Sequence, residues 1–257
     1  MASLEHALRA FPLWAIGTAF FLLLLAASLL GGALRHRLER QTEEESQSDG
    51  YLLSANLALL GLLIAFTFSL AVSRYDSRRD AVIQEANTIS TAWLRAGLIE
   101  GPEGQALRDA IRGYTDIRLR LPEADDRREV ERETASAQAL IWRRLHAALP
   151  HAQPPVAVTT ITAMTEMFDA AATRKAERQA RIPGRVLDVL SLYAIMSAGI
   201  VGYVLGRKGD RRHMIVSSIL FLLLTLAMTL ILDLDRPYSG SITVPVQPII
   251  DTRAGFD

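Results

Sequence analysis

Leu-Leu-Gly-Leu-Leu-Ile-Ala-Phe-Thr-Phe-Ser-Leu-Ala-Val-Ser-Arg-Tyr-Asp-Ser-Arg-Arg, residues 59–79, is the stretch whose reading decides the fold. Its first part lies in a run, Gly50 to Ser73, of 24 positions without a charged side chain. A helix needs about 20 apolar residues to cross the hydrocarbon core of a bilayer. Only helices and closed barrels satisfy their backbone there, and this run lacks the two-residue alternation of a barrel strand. The helix is not expected to stop at the membrane. No Gly or Pro interrupts Leu62 to Ala96. Past Arg74, Arg78 and Arg79, the residues Val82, Ala86, Ile89 and Trp93 step by 4, 3 and 4, one apolar stripe on the same helix. The spacing predicts one long rod that leaves the bilayer and enters solvent. Gly97 and the Gly101-Pro102 pair break it.

Three more uncharged runs lie outward from this one. Ala10 to Leu34 covers 25 positions, Val189 to Gly206 covers 18, and Met214 to Leu232 covers 19. The first has small residues at Ala26, Ala27 and Ser28 that imitate a cleavage site. It is nevertheless longer than the roughly 7–15-residue apolar core of a signal peptide. The fold class expected is all-α: a four-span helical integral membrane protein with an extramembrane helical bundle between spans two and three. Residues 1–50 hold the first span and a short charged loop, and 51–73 the second span. Residues 74–184 form the bundle, 185–234 spans three and four with a short basic loop, and 235–257 an extended C-terminal arm.

Within the bundle, Leu107, Ile111, Tyr114, Ile117 and Leu121 mark a second amphipathic helix that Pro122 ends. Asp125 and Asp126 suit the start of a third, by capping and by the helix dipole. That helix carries Ala137, Ile141, Leu145 and Ala148 and stops near Pro150. A fourth opens at Pro154-Pro155, buries Ile161, Met164, Phe168 and Ala171, and runs to Ile182, where Pro183-Gly184 hinges it onto span three. In the tail, Pro237, Gly240, Pro245 and Pro248 argue against a long helix, and Ser241-Ile242-Thr243-Val244 has strand-like composition. The tail is expected as an arm on the bundle or on a neighbouring subunit, or else as a frayed end.

The charges exclude some functions. Twenty-eight basic and 28 acidic residues cancel, so the basic excess that nucleic-acid binding needs is missing. Without cysteine there are no disulfides, zinc ribbons, iron–sulfur clusters or thiol nucleophiles. The five histidines, His6, His36, His146, His151 and His213, show no helical metal-pair spacing. No Gly-rich phosphate loop or nucleophile elbow is present. The residues point to no enzyme, no cofactor and no metal.

Features within and beside the spans are more informative. Asn56, Thr67 and Ser69 are polar within lipid depth. Asn56 is the costliest to bury and is expected to point inward, as a candidate to line a pore. The hydroxyls either bond their own helix or line a pore. Gly202 and Gly206 form a small-xxx-small pair, with Ala198 one step earlier, for close helix packing inside the chain or at a subunit seam. Span two ends in Arg74, Arg78 and Arg79, and span four in Asp233, Asp235 and Arg236. Span parity puts both ends on one side, so these six residues are expected as a charge girdle at headgroup depth or as a vestibule for ions. Arg207, Lys208, Arg211 and Arg212 crowd one short loop. By loop charge density they place the short loops in the cytoplasm.

Residues 59–79, together with Glu85-Ala86-Asn87-Thr88-Ile89, Thr91-Ala92-Trp93-Leu94-Arg95-Ala96, Ile-Leu-Asp-Leu-Asp-Arg-Pro-Tyr-Ser-Gly (231–240) and Gln247-Pro248, resemble the bestrophin-like domain family of bacterial membrane proteins, domain of unknown function 4239. The resemblance covers nearly the whole chain. It implies likeness to bestrophins, pentameric anion channels with four spans and a helical cytoplasmic region between spans two and three. It would therefore put the bundle in the cytoplasm, against the loop charges. It implies a homo-oligomer, with a pentamer as one option, in a bacterial inner membrane. The implied partners are the lipid bilayer and small inorganic ions, and nucleic acid is not among them. In that reading Phe66, Thr67, Phe68 and Ser69 face or flank a constriction, and Arg74, Arg78 and Arg79 draw anions to its mouth. The alternative is a non-conducting scaffold or sensor whose bundle docks a partner. No acidic cluster matches a bestrophin calcium site.

Overall fold

The computed structural model describes residues 11–38, 43–121, 127–205, 211–236 and 240–256. Among them the α-helices are α1 Leu13–Leu38, α2 Glu43–Ala96, α3 Pro102–Arg120, α4 Arg127–Ala148, α5 Pro154–Gln179, α6 Gly184–Leu205, α7 Arg211–Leu234 and α8 Gln247–Ala254. A single 3₁₀ turn, Leu149–His151, follows α4. No described residue is in a strand. Four helical stretches, within Leu13–Arg37, Asp49–Ala96, Pro154–Leu205 and His213–Leu234, are long and apolar enough to cross a membrane.

The continuous helix predicted through residues 59–96 is present as part of the 54-residue α2. It begins at Glu43, seven residues before the expected span. At its far end Gly101 takes φ 91°, open to glycine without a Cβ penalty, and Pro102 opens α3. α5 ends at Gln179 and not at Ile182, because Pro183 biases the residue before it away from helix.

The chain divides into two units, one of residues 1–74 and 181–243, the other of 75–180 and 244–257. In the membrane unit Leu24, Leu60, Leu190, Ala194, Val201, Phe221 and Met228 form the core. Around it Trp14, Leu30, Val189 and Ile215 stay exposed, as suits a surface wetted by lipid. α1 and α6 approach backbone to backbone. A Cβ on Gly202 would lie 1.8 Å from the Ser28 carbonyl oxygen, and one on Gly31 would lie 2.0 Å from that of Gly199. Arg35 then donates to the last-turn carbonyls Tyr203 O, at 3.0 Å, and Val204 O. A cation there satisfies orphan carbonyls at the negative end of α6.

In the bundle unit the predicted stripes are the core. Ile89, Trp93, Leu107, Ile111, Tyr114, Ile141, Leu145 and Met164 are all buried. The tail corrects the expected extended arm. Residues 240–246 are irregular and contain no strand, but Gln247–Ala254 is helical, with Pro248 in the first turn, where a missing N–H costs nothing. Ile249 buries itself beside Val82 and Ala86. Phe256 stacks on Trp93 with ring centres 4.8 Å apart, and the Arg108 guanidinium lies 3.7 Å from the Trp93 ring centre. Pro122, Asp125, Asp126, Pro237 and the loop 206–210 lie outside the described residues.

Candidate functional site

α2 has one face turned into the membrane unit and one turned away. Leu53, Leu60, Thr67 and Ala71 are buried. Ala55, Ala58, Leu62, Ala65 and Ser69, spaced by 3, 4, 3 and 4, are exposed. Phe66, Thr67, Phe68 and Ser69 therefore do not share a face, since consecutive helical residues point about 100° apart. Phe66 is 66% exposed and Phe68 38%, while Thr67 is 5% exposed and donates its hydroxyl to Leu63 O at 2.8 Å. Thr67 thus follows the helix-bonded reading. Asn56 is half-buried, with its side-chain amide nitrogen unpartnered, and its carbonyl accepts the Tyr193 hydroxyl at 3.4 Å.

The girdle residues fall into both units: Arg74, Asp233, Asp235 and Arg236 in one, Arg78 and Arg79 in the other. Asp233, Asp235 and Arg236 are buried and hold backbone. Asp235 Oδ1 accepts the Ile182 N–H at 2.9 Å, across the break between α5 and α6. Asp233 Oδ1 accepts the Ser241 N–H at 2.7 Å, where a Cβ on Gly240 would collide with that oxygen. Arg236 donates to Phe11 O at 3.2 and 3.3 Å, just before α1. These three residues tie chain segments that sequence distance separates. Arg74 is half-buried, Arg78 is buried and Arg79 is exposed, close in sequence to exposed Asp76 and Asp80.

Ala198 is buried in the core of the membrane unit, and Gly202 packs inside the chain against α1. Gly206 lies outside the described residues. The sequence reading missed Ser28, Gly31 and Gly199, the other half of that seam. It also missed a charge cluster in the bundle unit. Glu85 is fully buried, and it accepts from Arg118 Nε at 2.5 Å and Arg174 at 2.6 Å, both guanidinium groups themselves buried. Burial alone would raise the Glu85 carboxyl. Arg118 and Arg174 outweigh it and hold it below the usual carboxylate range. Burial also pushes the nearby Tyr114 hydroxyl up, and the Glu85 charge adds to that. A signal was available: Glu85 and Arg118 stand on the apolar stripes of α2 and α3, at positions where charge is costly unless paired. The cluster is built to fix helices, because all three of its members are sealed from solvent. Among the described residues no three His, Asp or Glu side chains converge as a metal site.

No curated protein and no solved structure matches the chain. A family model, the Bestrophin-like domain, matches residues 19–249 of the 257. That match takes in most of the first span, the other three spans, the bundle helices and the start of α8, so the chain belongs to the bestrophin-like domain family.

Proposed function

We propose that this protein is an ion channel formed by a ring of identical subunits in a bacterial inner membrane, with the outward face of α2 along the axis. The observation that carries the reading is that face. Ala55, Ala58, Leu62, Ala65 and Ser69 are left uncovered by the chain's own helices, and small residues let helices converge around a narrow path. Cyclic symmetry would repeat the stripe around the axis and close it. Family membership supports the same reading, and anion conduction is what likeness to bestrophins implies. Of the three arginines assigned to the mouth, Arg79 alone is exposed, with exposed Asp76 and Asp80 beside it in sequence, so the sign of the ion rests on measurement. The reading assigns the protein no catalytic role. Purified protein in planar bilayers under a KCl gradient tests it. The expected result is unitary current, with a reversal potential toward the chloride equilibrium. Absence of current at every voltage and pH would end the channel reading.

A second reading is favoured by one observation. Leu94, Leu98 and Val158 of the bundle unit are each exposed by more than 60%, a place for a docked protein on a non-conducting scaffold. A monomer or dimer in bilayers, without current, would favour it.

A further inference from the structure

α1, α6 and α7 enclose a groove of about 670 Å³ in the membrane unit, within the size range of ligand sites. Its walls are apolar except for Asp188, Ser191 and Thr229. The Thr229 hydroxyl is used within its own helix, donating to Thr225 O and Leu226 O at 3.0 Å. Asp188 is different. It is exposed on an apolar wall and has no ion-pair or hydrogen-bond partner among the described residues. It is not paired even with exposed Arg185, its neighbour one helical turn earlier. A carboxylate beside a membrane span is costly until a partner reaches it.

The groove also has a direction. Span parity puts the start of α1, the start of α6 and the end of α7 on one face of the bilayer. Asp188, the fifth residue of α6, therefore sits near the headgroups, and Ile195, seven residues on, lies about 10 Å deeper. The rim residues Phe11, Leu23 and Leu192 are exposed to the bilayer. One charged end and one apolar end describe the shape of an amphiphile.

We propose that this groove binds one phospholipid with a primary-amine head, its ammonium on Asp188 and an acyl chain running toward Ile195. An acidic lipid would bring a phosphate beside Asp188 with no ammonium to answer it. A trimethylammonium head has no N–H to donate. The site does not depend on whether the protein conducts.

Native mass spectrometry of the full-length protein tests this, after release from nanodiscs holding equal phosphatidylethanolamine, phosphatidylcholine and phosphatidylglycerol. Wild type should retain phosphatidylethanolamine about tenfold over the other two, as expected for one charge-assisted hydrogen bond. Asp188→Asn should bring the preference close to unity without altering helix content. Ala19→Phe, which fills the groove, should remove the retained lipid whatever its head. Retention in wild type without head preference, a preference that survives Asp188→Asn, or lipid retained by Ala19→Phe would each overturn the proposal.

Discussion

In the membrane unit α1 and α6 meet through glycine, with Gly31 and Gly202 against bare backbone. In the bundle unit the contacts are large side chains, Trp93 with Phe256 and Ile111 with Met164 in one core, and a carboxylate between two guanidinium groups. The solvents account for the difference. Lipid is as apolar as leucine, so burying apolar surface gains little there, and helices associate through close van der Waals contact and backbone proximity. Water rewards apolar burial at about 25 cal/mol per Å², so the bundle unit can bear the cost of burying Glu85, Arg118 and Arg174.

The largest expected effect that could break this comparison is at Glu85. Glu85→Ala leaves Arg118 and Arg174 buried without their shared carboxylate, which should cost about 3–5 kcal/mol. Hydrogen exchange would then show protection lost across the amides of α3 and α5, while those of α1 and α6 keep theirs. A loss no greater than that of exposed Glu166→Ala would mean that the cluster contributes nothing. The same cluster predicts a pH response. The folded Glu85 carboxyl titrates below its ordinary value, so its stabilisation is present above about pH 4.5 and is lost as pH falls through the lower, folded value. Acid melting of the bundle unit should therefore flatten in Glu85→Gln.

Next in size is the seam. Gly202→Val forces α6 off Ser28 and should cost about 1–3 kcal/mol or more, as overpacking does. Gly61→Ala should be tolerated, since nothing lies within 4 Å of a Cβ there. Equal outcomes would remove close backbone contact as the organising feature of the membrane unit. Asp235→Ala leaves the buried Ile182 N–H without its acceptor and should cost about 1–3 kcal/mol. Glu103→Ala, at a partly exposed helix start, should stay within about 0.5 kcal/mol. The smallest effect is a gain. Gly113 lies in the interior of α3 with open space around it, and Gly113→Ala should add about 0.5–1 kcal/mol by helix propensity.

How far the sequence could be read follows from the same physics. Charge-free runs and stripes such as Val82, Ala86, Ile89 and Trp93 are local and periodic, so the spans and the bundle core are legible. The partners of Gly202 are not, because Ser28 and Gly31 lie some 170 positions away in the chain and a seam shows its period from one helix at a time. α8 was hidden by Pro248, a residue that breaks a helix interior but suits a first turn. The Asp233 and Asp235 segment was legible as charge at the membrane boundary. Its attachment to the backbone at Ser241 and Ile182 was not, because a carboxylate's partner is set by tertiary placement. The four consecutive pore candidates, Phe66 to Ser69, were grouped by proximity in sequence, and the helix distributes them around its axis.

The absence of cysteine makes one measurement clean. Single cysteines placed in turn at Ala58, Leu62, Ala65 and Ser69, and at Leu60, Thr67 and Ala71, would be treated with a charged, membrane-impermeant thiol reagent during current recording. If the outward face of α2 lines the ion path, the first set is modified and blocks current and the second is not. Block confined to the second set, or modification of neither, would contradict that arrangement.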